Sequence, residues 1–340
     1  MARIWRLFPG SNTAAGFVGF FEELHRMARR TVILKGGPGV GKSTLMAQAG
    51  RHFERLGMET GYYRCSGDPD SLDAVFAPQA GFLILDGTAP HVVDPAVPGA
   101  RDGILNLGVC LNEEEMEAQA EEIAALNREI AACYAQATRY LRAALAARQD
   151  AAAVYDAALN GKDRRMLQKE WRALLPGETS DAGGSHFFAQ AITWKGVLQE
   201  MDAVLTDTVY CLDAPWGFDA DALLRSVWEE AGQRGLQRTA YHDPLDAGKL
   251  CHATVNKTTF TTAVMLDAAV FTPSLDKSVL RRESARLAFD RAACDLMQNQ
   301  AVEALGRAKK LHDALERYYT DAMDYARLDE IKQEFMKSLP

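Results

Sequence analysis

Basic charge is in short supply in this chain: 38 Lys and Arg stand against 46 Asp and Glu, a formal net charge of -8. Phosphodiester binding needs clustered Lys and Arg, so this balance argues against a dedicated nucleic-acid binder. Long apolar runs are missing too. Residues 263–271 form a short one that Asp267 interrupts, and residues 1–16 lack the apolar core of a signal peptide. No membrane insertion is therefore expected, and the expected location is cytoplasmic. The 6 cysteines (Cys65, Cys110, Cys133, Cys211, Cys251 and Cys294) include no C-x-x-C pair, which leaves reduced thiols rather than zinc or redox motifs. What remains is ordinary globular chemistry, 48% hydrophobic and 25% charged, in 340 residues, a length that suits two domains.

One local string stands out against that background. Gly36-Gly37-Pro38-Gly39-Val40-Gly41-Lys42-Ser43 is a complete G-x-x-x-x-G-K-[ST] phosphate-binding loop, followed by Thr44. Its context fits: residues 31–35 are a β-prone run, and residues 43–56 open a helical pattern. Backbone N–H groups of such a loop converge on phosphate oxygens, and the helix N-terminus adds partial positive charge. Lys42 would reach the β- and γ-phosphates, and the Ser43 hydroxyl would join a Mg²⁺ shell. A second oxygen ligand for that ion is expected at the end of a neighbouring buried strand. Residues 81–86 supply it, four apolar residues and then Asp86.

Two polar loops are placed to border the γ-phosphate, because ligands of open α/β sheets sit beyond the carboxyl ends of strands. The first, 65–73, follows a strand expected at 60–64 and carries Asp68, Asp70 and Asp73; the second, 88–91, ends in His91. Any one of these aspartates could orient or deprotonate an attacking water or hydroxyl, although turn-making and helix capping account for the same residues. With Lys42, they and His91 are the candidate catalytic residues.

The chain also repeats itself. Residues 153–176 align without a gap on 317–340, matching at Tyr155 and Tyr319, Ala158 and Ala322, Glu170 and Glu334, and Pro176 and Pro340, with Trp171 opposite Phe335. Upstream, 208–212 echoes 31–35, and 223–235 echoes the helix after the loop. The expected fold is therefore α/β, a duplicated P-loop NTPase-like parallel sheet core, each copy with a long α-helical hairpin arm. The expected units are 1–176, with an arm at about 112–175; a Gly/Ser-rich linker, 177–185; and 186–340, with a helical tail at about 277–339. The second copy lacks the loop chemistry. In Asp213-Ala214-Pro215-Trp216-Gly217-Phe218-Asp219-Ala220 there is no Lys, two acids present the wrong sign to phosphate, and Trp216 and Phe218 are bulky where backbone must approach a ligand. No nucleotide is expected there.

Asn112-Glu113-Glu114-Glu115 is a helix-start signal, and neither Gly nor Pro interrupts 113–159. Ile123, Leu126, Ile130, Cys133, Ala137, Tyr140 and Ala144 form a coiled-coil-like seam, with a return helix at 162–174. These arms are expected to pack on each other and on the cores; the alternative is a protruding arm that recruits a protein partner.

The strings Gly-Gly-Pro-Gly-Val-Gly-Lys-Ser-Thr at 36–44, Ser-Gly-Asp-Pro-Asp-Ser-Leu-Asp at 66–73 and Asp-Gly-Thr-Ala-Pro-His at 86–91 resemble a group of uncharacterised bacterial P-loop ATPases. That group occurs mainly among spore-forming Firmicutes and is built from two tandem P-loop-like halves. The tail 311–319 is similar as well, and the resemblance covers nearly the whole length. The second half departs from that pattern, since relatives there often keep a recognisable loop. The resemblance implies binding of ATP and its hydrolysis. A nucleotide-driven ATPase switch is thus the first expectation; a kinase for a small nucleoside-like molecule and a scaffold with little turnover are the others. No Asn-Lys-x-Asp guanine-reading string occurs, although 256–259 begins like one, which tilts the choice toward adenine.

Overall fold

The computed structural model describes residues 2–177, 183–263 and 268–340. The first half runs β1 (Ile4–Leu7), β2 (Gly10–Thr13), β3 (Gly16–Gly19), α1 (Phe21–Met27), β4 (Arg30–Lys35), α2 (Lys42–Arg55), β5 (Thr60–Arg64), β6 (Leu72–Ala77), β7 (Phe82–Asp86) and β8 (Asp102–Asn106). Three helices follow: α3 (Glu113–Ala118), α4 (Ala120–Ala158) and α5 (Gly161–Ala173). The second half runs β9 (Gly184–Phe187), β10 (Gln190–Thr193), β11 (Gly196–Gln199), β12 (Thr208–Leu212), α6 (Asp221–Gln233), β13 (Arg238–His242), β14 (Leu250–Val255), β15 (Thr258–Thr261) and β16 (Ala269–Phe271). It closes with α7 (Lys277–Arg282), α8 (Ser284–Asp321) and α9 (Tyr325–Lys337). Most of the expected linker, 178–182, lies outside the described residues, and Gly184 and Ser185 already belong to β9.

The sheets are mixed, not wholly parallel as expected. In the first, ordered β1-β5-β6-β7-β4-β8, strand β6 runs antiparallel to both neighbours while β1/β5, β7/β4 and β4/β8 are parallel. A parallel neighbour needs a crossover of a dozen or more residues, and the connections 65–71 and 78–81 are too short for one. The second sheet, ordered β9-β13-β14-β15-β12-β16, has the same sequence of strand directions, with β14 reversed. Between the halves Phe8 N donates to Phe188 O at 2.9 Å and Phe188 N to Phe8 O at 3.1 Å, a reciprocal pair.

Central strands β4 and β7 bury both faces. On one face Val32, Leu34 and Ile84 pack on Leu45, Met46, Ala49 and Phe53 of α2. On the other, Ile33, Leu83, Leu85 and Tyr63 meet Phe21 and Leu24 of α1 together with Phe187, Val204 and Tyr241 of the second half. The two halves thus share one apolar layer.

The long helices α4 and α8 pack antiparallel. Asp150 pairs with Arg286 near one end, and Gln136 takes a hydrogen bond from Arg307 further along. Small residues line the contact: Ala137, Ala144 and Ala151 on α4, Ala301, Ala304 and Ala308 on α8 are all buried. Of the expected seam, Ile123, Ala137 and Ala144 are buried and Leu126, Ile130 and Cys133 half-buried. Leu141, not Tyr140, takes the next buried position, because the 3.6-residue helical period drifts against a strict heptad. Asn112 caps α3 and Asp324 caps α9 by accepting from backbone N–H groups.

The arms end by exchanging partners. Trp171 and Leu175, at the end of the first arm, lie in the core of the second sheet with Leu212, Leu224 and Phe260. Leu328 and Phe335 of α9 lie in the core of the first, with Leu34, Leu45 and Phe53. Each half therefore depends on a helix that the other supplies.

Candidate functional site

Loop 36–41 connects β4 to α2, and three of its glycines carry the left-handed backbone that L side chains rarely adopt: Gly36 at φ +139, Gly39 at φ +73 and Gly41 at φ +86. Val40 is fully buried and pins the loop to the sheet, while Pro38 is half-buried and Thr44 is exposed in the first helical turn. Lys42 opens α2 and folds back over the loop, its Nζ donating to Gly36 O at 2.8 Å and Gly37 O at 2.7 Å. The backbone of the loop, the positive helix end and the ammonium converge on one small volume, which is the chemistry of an anion cradle.

Asp86 ends β7 directly beside β4, in register with Leu34. Its Oδ2 lies 3.6 Å from Lys42 Nζ, and its Oδ1 accepts from Thr88 N at 2.9 Å and Thr88 Oγ1 at 2.6 Å. Ser43 Oγ accepts from Leu72 N at 3.0 Å. A hard divalent cation takes oxygen ligands, and Ser43 with Asp86 offers a hydroxyl and a carboxylate on adjacent elements, a donor set that fits magnesium. Among the described residues His312, Asp313 and Glu316 of α8 are another imidazole–carboxylate group, with ligand atoms within 4.8 Å of one another.

The three candidate aspartates part company. Asp68 accepts from Ser71 Oγ at 3.2 Å and faces Lys309 at 3.5 Å. Asp70 is bound through both carboxylate oxygens to Lys195 of the second half at 2.7 and 2.6 Å. The hydrogen bond from that ammonium holds its carboxyl below the usual carboxylate range. Asp73, placed in the sequence among loop residues, is instead buried within β6 and joins the site through His91, whose Nε2 lies 3.5 Å from its Oδ1. His91 Nδ1 donates to Asp86 O at 3.0 Å, and the ring stacks on Phe21 with centroids 4.3 Å apart. Burial opposes the imidazolium, but the hydrogen bond and charge of Asp73, with the charge of Asp86 behind them, outweigh it and raise the pKa of His91. Of the sequence candidates, then, Lys42, Ser43, Asp86, His91 and Asp73 form one connected group, while Asp68 and Asp70 turn toward the second half.

The sequence did not point to what covers the loop. A Cβ on Gly37 would collide with the ring of Tyr319; on Gly39 it would meet Glu316 Cγ at 2.6 Å and Thr320 Cγ2 at 2.9 Å; on Gly41, Lys332 Nζ at 2.8 Å. All four belong to the second half's arm. Burial raises the pKa of the Tyr319 phenol. The one available signal was the repeat itself, whose aligned positions differ in charge on the side that carries the loop. Beside Asp68 and Asp70 a cavity of ≈ 550 Å³ opens, lined also by Trp194, Lys309, Lys310 and Asp313.

At the corresponding place in the second half, Gly217 again has a left-handed backbone, at φ +87, but Asp221 opens α6 where Lys42 opens α2. Arg148 pairs with Asp243 at 2.8 and 2.7 Å and Lys249 with Asp219 at 2.5 Å, so the charges close on one another. A cavity of ≈ 260 Å³ lies there, lined among others by Trp216 and Phe218. No helix among the described residues is long and apolar enough to cross a membrane. No protein-family model matches the chain, and neither does any curated protein or solved structure.

Proposed function

We propose that the chain binds ATP with Mg²⁺ at loop 36–44 and hydrolyses it, acting as a nucleotide-driven switch with one active site. The observation that carries this reading is the convergence of the glycine loop, the α2 N-terminus, Lys42 and the Asp86 carboxylate between two adjacent strands. On this reading the fold is a duplicated P-loop-like core whose second copy has lost the loop, in line with the resemblance to tandem P-loop ATPases. Bound magnesium would be held by Ser43 and Asp86 and would neutralise charge on the transferring phosphate. Lys42 would leave the Gly36 and Gly37 carbonyls for phosphate oxygens, and His91 with Asp73 would hold the 86–91 loop in place. Because Glu316, Tyr319 and Thr320 stand over the loop, an entering triphosphate displaces that face of α8. Displacement of α8 is how occupancy would reach α4, its antiparallel partner.

The cavity beside Asp68 and Asp70 favours a second reading, a kinase whose polar acceptor sits there with its hydroxyl near an aspartate. Following the γ-phosphate of labelled ATP separates the two, with Lys42→Ala as control. Free phosphate from protein and Mg²⁺ alone supports the ATPase; label on a small molecule, seen only with a metabolite extract, supports the kinase. No release and no transfer beyond the Lys42→Ala background would refute both.

A further inference from the structure

We propose that Lys332, carried on α9 of the second half, is a phosphate-binding residue of the first half's loop, so that the nucleotide site is completed across the two halves. This rests on the nucleotide reading of loop 36–44. Lys332 places Nζ 2.8 Å and Cε 3.2 Å from the position that a Cβ would take on Gly41, the residue that caps α2. The side chain is half-buried, and among the described residues no carboxylate lies within ion-pair distance of it. Glu316, the acid of the same arm that faces the loop, stands over Gly39 instead. An ammonium with no carboxylate beside it, at the positive end of a 14-residue helix, is electrostatically unfavourable without an anion. A polyphosphate supplies the missing charge.

The other half provides an internal control. Lys332 precedes Phe335 on α9 as Gln168 precedes Trp171 on α5, and these two helices cap the two sheets in the same way. Where the loop has lost its lysine, the helix that covers it carries the neutral Gln168, whose Nε2 is satisfied by Ala222 O at 3.2 Å. Tyr319 behaves differently. Its counterpart Tyr155 is retained and lies 3.7 Å from a Cβ on Gly217, so the tyrosine packs against a loop of either kind. The charge at this one helix position follows the phosphate loop, and the aromatic contact does not.

The test is equilibrium binding of ATP and AMP to the full-length wild type, Lys332→Gln, Lys332→Arg and Lys42→Ala, with the melting temperature of each protein measured without nucleotide. A charge-assisted contact predicts that Lys332→Gln weakens ATP binding about 10-fold or more, weakens AMP binding less, and leaves the nucleotide-free melting temperature equal to or above wild type. Lys332→Arg should keep most of the affinity. ATP affinity of Lys332→Gln within about two-fold of wild type, alongside loss of binding in Lys42→Ala, would overturn the proposal and leave the nucleotide reading standing. A lower nucleotide-free melting temperature in Lys332→Gln, with equal losses of ATP and AMP affinity, would mark a structural lysine and overturn it too. Absence of ATP binding by the wild type would remove the nucleotide reading, and this proposal with it.

Discussion

Replacing Trp171 with alanine should destabilise the half of the molecule to which Trp171 does not belong in sequence. The indole is fully buried, with its ring centroid 5.6 Å from that of Phe260 and 5.9 Å from that of Phe271, inside the core of the second sheet. Truncating a buried aromatic of this size costs about 3–5 kcal/mol through lost transfer energy and the cavity left behind. A domain's net stability is about 5–15 kcal/mol, so that loss is a large fraction of it. Among the described residues the indole Nε1 has no hydrogen-bond partner, and an unsatisfied buried donor costs about 1–3 kcal/mol. Both Trp171→Phe and Trp171→Ala remove that donor, but Trp171→Phe keeps most of the ring packing and should therefore cost far less than Trp171→Ala. Denaturant unfolding gives the size of the loss, and hydrogen exchange gives its location. In Trp171→Ala, amides of β12, β14 and β15 should lose protection while those of β4 and β7 keep theirs. Loss of protection in the first sheet, with the second unchanged, would refute the exchange of arms.

Two further predictions concern pH. The raised pKa of His91 means that its pairing with Asp73 stabilises the fold fully below the ordinary histidine value and that this stability is lost as pH rises through the raised one. Melting curves across that window should show the loss in the wild type and its absence in Asp73→Asn. His242 is the opposite case. Burial, opposed by its hydrogen bond to Ala247 O and reinforced by neighbouring His186, lowers it from 6.5 to about 4. Its contribution is therefore present above pH 6.5 and lost as pH falls toward 4, on the order of 3 kcal/mol. Phe20 and Phe188 pack on this ring from either half, so acid should loosen the contact between halves, and His242→Phe should flatten the acid limb of the stability profile.

Much of the candidate site was legible because its signals are local. A glycine loop, the strand before it, the helix after it and an acid at the end of an apolar strand are each fixed by a few consecutive residues. Among the elements, the start of α3 at Asn112 was readable for the same reason, since a capping side chain acts within one helical turn. The hairpin β2–β3 was not legible. Ser11 and Asn12 are buried polar residues that hydrogen bonds across the molecule satisfy: Asn12 donates to Ile192 O at 2.9 Å, and Ser11 Oγ accepts from Ile192 N at 3.3 Å. The direction of β6 depended on loop lengths that become informative only once its neighbours are known. The exchange of α5 and α9 left no local trace at all. An apolar helical face states that something covers it, not which of two similar sheets does so. Lys332 and Tyr319 were missed for that reason, since their place over Gly41 and Gly37 follows from the exchange.

Equilibrium binding of ATP in the presence of Mg²⁺, measured side by side on the wild type and Lys42→Ala, tests the central claim most directly. The account predicts saturable binding by the wild type, its loss in Lys42→Ala, and unchanged folding of the variant by circular dichroism. Equal binding by the two proteins, or none by a folded wild type, would contradict it.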